Sequence, residues 1–346
     1  MARRRAKKKR KIGRAGAKLL PGLLVVALAV AGAAAWLVFA PYGPSSETFV
    51  ELNPGSSTLT IGQELEKDGV VRSQYAFDLL RLFKHGTLRA GEYRFDHPET
   101  AVEVYARIAR GDTYTRALTI PEGSNIFDIA ARVEQSGFGT RQEFLDAAVQ
   151  QTSLIADIDP GARSLEGYLF PDTYRFARNV KPGQIAAAMV KRFRAVAAQL
   201  GLNDNFHRVV TVASLVERET AVDSERPLVA SVFENRLHKN MPLMTDPAVI
   251  YGLELEGIWR GTIYQSDLKR DTAYNTYIHQ GLPSGPIANP GVPSLRAAMN
   301  PASTNYLYFV AAGANAQGHS AFAETLDEHN REVASYRRAV KKAGGR

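Results

Sequence analysis

The chain has 346 residues, of which 45% are hydrophobic and 23% are charged, a composition that excludes a disordered protein and allows more than one domain. It contains no cysteine, which excludes disulfides, thiolate metal sites and a cysteine nucleophile. The formal charge is +8, but ten of the 43 Lys and Arg lie in residues 1–18. The rest of the chain has 33 basic and 35 acidic residues, so it does not form a basic surface for nucleic acid.

The uncharged segment Leu19–Ala40 follows this basic tail directly. As a helix it would be about 33 Å long, enough to cross a hydrocarbon core of about 30 Å. A cleavable signal peptide is the alternative, but its apolar region usually has only about 7–15 residues. By the positive-inside rule the tail lies in the cytoplasm and the chain after Pro41 lies outside. The pattern predicts a single-pass inner (plasma) membrane protein that binds lipid through this span and does not bind nucleic acid.

Residues 41–46 are predicted to be a linker, and residues 47–116 a small separate region that is partly repeated further on. Segments 49–71 and 117–139 align with Gly55 over Gly123. Each segment predicts a short strand, a Pro/Gly turn, a helix with a serine at its start and a glycine stop. The unit resembles the LysM module, which implies glycan binding; a generic packing unit is the alternative. A further strand and a helix from Ala101 to about Arg110 complete the region.

Residues 117–343 are predicted to form a larger α+β domain, because helices and strands alternate irregularly. Short strands or ordered loops are predicted around 165–176, 245–252 and 305–324. The helices are predicted at 125–136, 142–152, 183–200, 205–221, 224–239, 293–299 and 325–343.

Two glutamates on the predicted helix 205–221 each lie on the same helix face as a row of mainly apolar residues. At 100° per residue, Glu217 and Glu219 point about 200° apart. Burial disfavours the charged form of a carboxyl group, which would make either glutamate a usable general acid near neutral pH. The alternative is that either one caps the core edge or pairs with an arginine. The row of Glu217 contains Val210, Ala213, Ser214 and Ala221, and the row of Glu219 contains Val212, Leu215 and Val216.

Other chemistries lack a matching pattern. The histidines show no HExxH motif and no i, i+4 pair, so the sequence predicts no metal site. His319 and His329 are interpreted as structural. There is no GxSxG elbow and no glycine-rich phosphate loop at the start of a helix.

Six sequence blocks occur in an order and spacing that resemble the endolytic murein transglycosylases of the YceG-like family. The resemblance extends from the membrane span to about residue 340. The blocks are SLEGYLFPDTYRF (164–176), ASLVERETA (213–221), LVASVFENRL (228–237), MTDPAVIYG (244–252), TAYNTYIHQGLPSGPIANPG (272–291) and NPASTNYLYFVA (300–311).

This resemblance implies a lytic transglycosylase that cuts the MurNAc-β-1,4-GlcNAc bond of nascent peptidoglycan and forms 1,6-anhydro-MurNAc ends without a cofactor. It implies that Glu217 is the catalytic acid and base. It also implies peptidoglycan synthases (penicillin-binding proteins) as partners. The residues expected to bind the sugar chain through rings and polar groups are Glu166, Tyr168, Thr245, Asp246, Tyr274, Asn275 and Tyr277.

Two alternative functions remain open at this point. A hydrolytic muramidase would use Asp246 or Glu219 to activate water. A membrane-anchored scaffold would bind peptidoglycan in the same cleft without cutting it.

Overall fold

The computed structural model describes residues 14–84, 86–313 and 318–344, and most of the basic tail, residues 1–18, lies outside them. The chain divides into two compact units, residues 1–115 and 116–346. Each unit has its own hydrophobic core and is considered by itself.

The first unit packs three short helices and the end of a long one against a two-stranded antiparallel sheet. Strands β1 and β2 pair with Val50 opposite Tyr93, and both side chains are buried. Alternate residues of each strand face the core, as the period of two requires. The elements are α1 (Arg14–Phe39), β1 (Thr48–Leu52), α2 (Thr58–Lys67), α3 (Gln74–Phe83), β2 (Gly91–Phe95) and α4 (Ala101–Arg110).

Helix α1 contains the predicted membrane span. Its segment Pro21–Phe39 is long and apolar enough to cross a membrane, and almost none of it is buried in the protein. Its last turn differs, because Val38 is buried in the core of the first unit. The helix is therefore joined to the fold at its C-terminal end.

The second unit is mainly helical and contains two short antiparallel sheets, β3 with β4 and β5 with β6. The mixture of helices and strands confirms the predicted α+β class. Its elements are β3 (Arg116–Thr119), α5 (Ile126–Gln135), α6 (Arg141–Gln150), β4 (Thr173–Phe176), α7 (Pro182–Leu200), α8 (Phe206–Glu219), α9 (Arg226–His238), α10 (Asp246–Leu255), α11 (Val292–Met299), β5 (Tyr308–Ala311), β6 (Ser320–Ala323) and α12 (Leu326–Gly344).

The prediction for residues 245–252 was wrong, since Asp246–Leu255 is a helix. The reason is local. Asp246 lies in the first turn, where a carboxylate is favoured. Pro247 fits there because proline has no N–H, and N–H groups in the first turn have no partner within the helix. The two copies of the repeat have the predicted strand, turn and helix, and the glycine stops Gly69 and Gly137 both adopt positive φ. One copy belongs to each unit, so the repeat is not a tandem within one domain.

Candidate active site

Helix α8 is the central element of the candidate site. Every side chain from Val210 to Val216 is buried, because α9 and α11 pack against it. Ser214 Oγ donates to Thr211 O and accepts a hydrogen bond from Ile287 N–H at 3.1 Å, which satisfies the hydroxyl in the core. The helix ends at Glu219, and Thr220 is extended. Both glutamates therefore lie in the last turn, where the helix leaves its packed surroundings.

Glu217 is held in a buried ion pair. Its Oε1 lies 2.9 Å from Arg226 Nη1, and the two side chains are only 5% and 6% exposed. Its Oε2 accepts a hydrogen bond from Gly291 N–H at 2.9 Å. Arg226 also contacts Asp223 and Ser294. Both oxygens of Glu217 are thus paired with protein groups in this structure, and its role as the catalytic residue stays a prediction.

Glu219 lies on the other side of α8, at the wall of a cleft with a volume of about 420 Å³, named here the Glu219 cleft. Burial raises the pKa of Glu219 to about 7, and the Asp246 carboxylate acts in the same direction. The nearby Thr245 side chain and the charge of Arg236 act in the opposite direction. The cleft is lined by Glu219, Phe233, Arg236, Leu243, Met244, Asp246, Tyr277, Tyr308, Phe309, Leu326 and His329.

Three of the predicted binding residues lie at this glutamate. The Tyr277 hydroxyl donates to Asp246 Oδ1 at 2.6 Å. Thr245 is buried. Its N–H donates to Thr276 Oγ1 at 3.0 Å, and this hydrogen bond joins the start of α10 to the loop that carries Tyr277. The structure thus brings an acid, a second carboxylate and a phenol together on one wall.

The cleft lining also supplies a cation and aromatic rings. Arg236 Nε donates to Leu307 O at 2.7 Å and Nη1 donates to Leu243 O at 2.8 Å, so the guanidinium is fixed by backbone carbonyls. The rings of Tyr308 and His329 stack with their centroids 5.2 Å apart. Burial and the charge of Arg236 lower the pKa of His329, so its ring is neutral at neutral pH. Stacked flat rings beside polar groups suit a sugar chain.

The other four predicted binding residues do not line this cleft. Glu166 is buried, and its two oxygens accept hydrogen bonds from Ile126 N–H at 2.9 Å and Asn289 Nδ2 at 2.7 Å. The hydroxyl of buried Tyr168 donates to Asp159 Oδ2 at 2.7 Å. Both residues line a small separate cavity of about 30 Å³, and their binding of the sugar chain stays a prediction.

Tyr274 and Asn275 also do not line the Glu219 cleft, and their binding of the sugar chain stays a prediction. The ring of Tyr274 packs edge-on against Tyr251, 5.0 Å between centroids, and borders a separate cavity of only about 30 Å³. Asn275 is buried, its Nδ2 donates to the carbonyls of three residues, Asp267, Leu268 and Arg270, and its Oδ1 accepts from Tyr277 N–H. Its role is to shape the loop that places Tyr277.

The sequence reasoning missed several residues of the cleft. The apolar-row argument made both Glu217 and Glu219 candidate general acids, and only the resemblance favoured Glu217. Arg236 lies within the block LVASVFENRL and could have been found there. The sequence carries no signal for His329, which was interpreted as structural. Among the described residues, no group of three His, Asp or Glu is arranged as metal ligands.

The sequence matches the YceG-like family over residues 50–335. It is 33% identical over 319 residues to the endolytic murein transglycosylase of Bacillus subtilis, covering 86% of this chain and 87% of that protein. It is 31% identical over 332 residues to the endolytic murein transglycosylase of Streptococcus pneumoniae, covering 86% of this chain and 60% of that protein. A crystal structure of a YceG-like protein from Listeria monocytogenes is similar with a TM-score of 0.54 at 32% identity, covering 83% of this chain and 99% of the other.

Proposed function

The chain belongs to the YceG-like family, and from that premise we propose that it is an endolytic peptidoglycan lytic transglycosylase in which Glu219 is the general acid and base. The substrate is the MurNAc-β-1,4-GlcNAc bond of nascent glycan strands, and the products carry 1,6-anhydro-MurNAc ends. The observation that supports this choice of residue is the position of Glu219, a carboxyl group with a pKa of about 7 at the wall of an accessible cleft.

A carboxyl group with this pKa is present in both protonation states near neutral pH, as a group that first donates and then accepts a proton needs to be. Protonated Glu219 donates to the glycosidic oxygen as the bond from that oxygen to C1 of MurNAc breaks. The C6 hydroxyl of the same MurNAc then attacks C1, and its proton returns to Glu219. No water is consumed, and the enzyme is regenerated in its starting state.

The neighbours of Glu219 assist in distinct ways. The Asp246 carboxylate, which accepts a hydrogen bond from the Tyr277 hydroxyl, places negative charge beside a sugar ring that becomes positive as the bond breaks. Because the nucleophile belongs to the substrate, no nucleophilic carboxylate of the protein is needed. Arg236 favours the ionised form of Glu219 after the first proton transfer.

We also propose that α1 anchors the protein in the inner (plasma) membrane, with residues 1–18 in the cytoplasm and the chain after Pro41 outside. This location is suited to cutting strands as they are made, and peptidoglycan synthases are the proposed partners. Glycan binding by the LysM-like region, residues 47–116, is part of the proposal and rests on the resemblance alone.

The test is digestion of purified peptidoglycan by the full chain in detergent, with mass spectrometry of the products. Lytic transglycosylation gives anhydro ends that are one water lighter than hydrolysed ends. Hydrolysed ends alone would instead support a muramidase in which Asp246 activates water. Binding without any cleavage would support the scaffold function. Glu219→Gln is the control for contaminating enzymes.

A further inference from the structure

Helix α3 of the first unit has more apolar surface than the core of that unit uses. Ala76, Phe77 and Leu80 are buried. Four large apolar residues are exposed: Tyr75, Leu79, Leu82 and Phe83. The exposed fraction is 74% for Tyr75, 71% for Leu82 and 76% for Phe83. At 100° per residue the exposed set covers an arc of about 100°, directly beside the buried set.

This exposed set, named here the α3 face, is unusual for a helix that contacts water. Single exposed apolar side chains are common, whereas several large ones on one face mark an interaction surface. Only Gln74, Asp78 and Arg81 of the ten residues in α3 are polar, and they lie together on the remaining side of the helix.

The end of the apolar helix α1 is part of the same unit and indicates what covers this face. Val38 of α1 belongs to the same core cluster as Phe77 and Leu80 of α3, so the two helices are packed in one unit. The apolar segment of α1 ends at Phe39. Helix α3 therefore lies where the span leaves the bilayer.

Arg72, two residues before α3, contacts aromatic side chains of the kind found at a membrane surface. Its guanidinium lies 4.0 Å from the ring centroid of Trp36 and 4.6 Å from that of Tyr42. Trp and Tyr are enriched where a protein crosses from hydrocarbon to water, and a cation at that level is close to lipid phosphates. Arg72 therefore places the start of α3 next to Trp36 and Tyr42.

We propose that the α3 face lies in the outer surface of the same bilayer that α1 crosses, with Tyr75, Leu82 and Phe83 among the lipid glycerol and upper acyl groups. A helix lying in that plane buries its apolar face about 5–10 Å into the headgroup boundary. The contact holds the first unit against the membrane, so the unit does not swing on a flexible stalk. This inference rests on the proposed membrane anchor and extends it.

The natural absence of cysteine makes the test direct. Tyr75, Leu82 or Phe83 is replaced singly by cysteine in the full chain, and the cysteine is labelled with an environment-sensitive fluorophore. Each labelled protein is reconstituted in vesicles of phosphatidylcholine and phosphatidylglycerol. A quencher is placed near the glycerol level on spin-labelled phosphatidylcholine. Leu24→Cys within α1 is the positive control for the span. Asp112→Cys, just beyond the C-terminal end of α4, is the negative control.

We expect blue-shifted emission and loss of most of the fluorescence for the three α3 probes, and neither change for Asp112→Cys. If the Leu24→Cys probe is quenched while the α3 probes emit as in water, the anchor stands and this inference is overturned. If the Leu24→Cys probe is itself unquenched, the anchor fails and the inference fails with it. Blue-shifted but unquenched α3 probes would indicate a protein contact in place of lipid and would also overturn it.

Discussion

Glu217 and Glu219 are two positions apart on one helix turn, yet their surroundings differ. Glu217 forms an ion pair with Arg226 and accepts a hydrogen bond from Gly291 N–H, whereas Glu219 lies at the wall of the cleft. A general acid must reach the substrate, and a carboxylate locked in a buried ion pair does not. The chemistry is therefore proposed for Glu219, the glutamate that lines the cleft.

Glu219→Gln is expected to reduce the release of anhydromuropeptides by about 10²–10⁴-fold, because Gln cannot donate or accept the proton. Glu217→Gln is expected to destabilise the fold by about 3 kcal/mol, because it leaves a buried arginine without its main partner. Activity is measured at equal amounts of folded protein, checked by circular dichroism. Normal release by Glu219→Gln together with loss by folded Glu217→Gln would return the assignment to Glu217.

The pH dependence of catalysis follows from the same glutamate. Burial raises the pKa of Glu219 to about 7, and the first step needs its protonated form. We expect kcat/KM to fall as pH rises above about 7, since the free enzyme then loses the proton it must donate. Initial rates on purified glycan strands across the neutral and mildly alkaline range test this. A constant kcat/KM through that range would contradict the role of Glu219 as the acid.

Glu166 gives a separate prediction, for stability. Burial raises its pKa to about 8 from an unfolded value near 4.5, so the folded state holds this proton more tightly. Its contribution to stability is complete below pH about 4.5 and is lost as pH rises through about 8. Glu166→Gln should flatten this part of the pH profile. It should also cost about 1–3 kcal/mol at neutral pH, because its amide N–H would face another donor. Urea unfolding at several pH values provides the measurement.

At the scale of elements, the cleft depends on how one loop is held beside the start of α10. Asn275 closes this loop through three carbonyls and the N–H of Tyr277, and the Tyr277 hydroxyl then reaches Asp246. The loop is buried at Asn275 and opens to the cleft at Tyr277. A buried residue thus sets the position of one that lines the cleft.

Asn275→Ala is expected to lower the free energy of unfolding by about 1–3 kcal/mol, since it leaves buried carbonyls without a donor. It should also reduce activity, because Tyr277 loses its fixed position. Tyr277→Phe is the matched variant: it removes the hydrogen bond to Asp246 within the cleft and should reduce activity with a smaller change in melting temperature. Asn275→Ala protein with unchanged stability and activity would show that the loop is held by other contacts.

At the scale of the whole molecule, the chain combines an apolar helix with two units that differ in size and chemistry. The cleft belongs to the second unit, while the first unit contains the end of α1 and the α3 face. This division separates the proposed attachment to the membrane from the proposed chemistry.

The proposed topology predicts where each end of the chain lies. Ten basic residues before an uncharged span should keep the N-terminus in the cytoplasm. A reporter that is active only outside the cytoplasm and is fused after Arg346 should therefore be active. Replacing the basic residues of the tail with neutral ones should reduce this activity. Activity of a cytoplasm-only reporter at the same position would refute the orientation.

The sequence alone determined the features that depend on neighbours along the chain. Apolar rows at a period of 3.6 located the helices 205–221 and 183–200 to within two residues of α8 and α7. Composition and length identified the apolar helix, and the spacing of six blocks identified the family. The motif Asp246–Pro247 was also sufficient to predict a helix start, although it was interpreted as a loop.

Only the tertiary structure decided which glutamate faces the cleft. Both continue apolar rows, so periodicity places each of them against a neighbour without saying which neighbour. The answer depends on Arg226 and Gly291 N–H on one side of α8, and on the open space between α10 and β5 on the other. The same limit applies to Glu166 and Asn275, whose polar groups suit a sugar equally well but are used by backbone groups brought close only by folding.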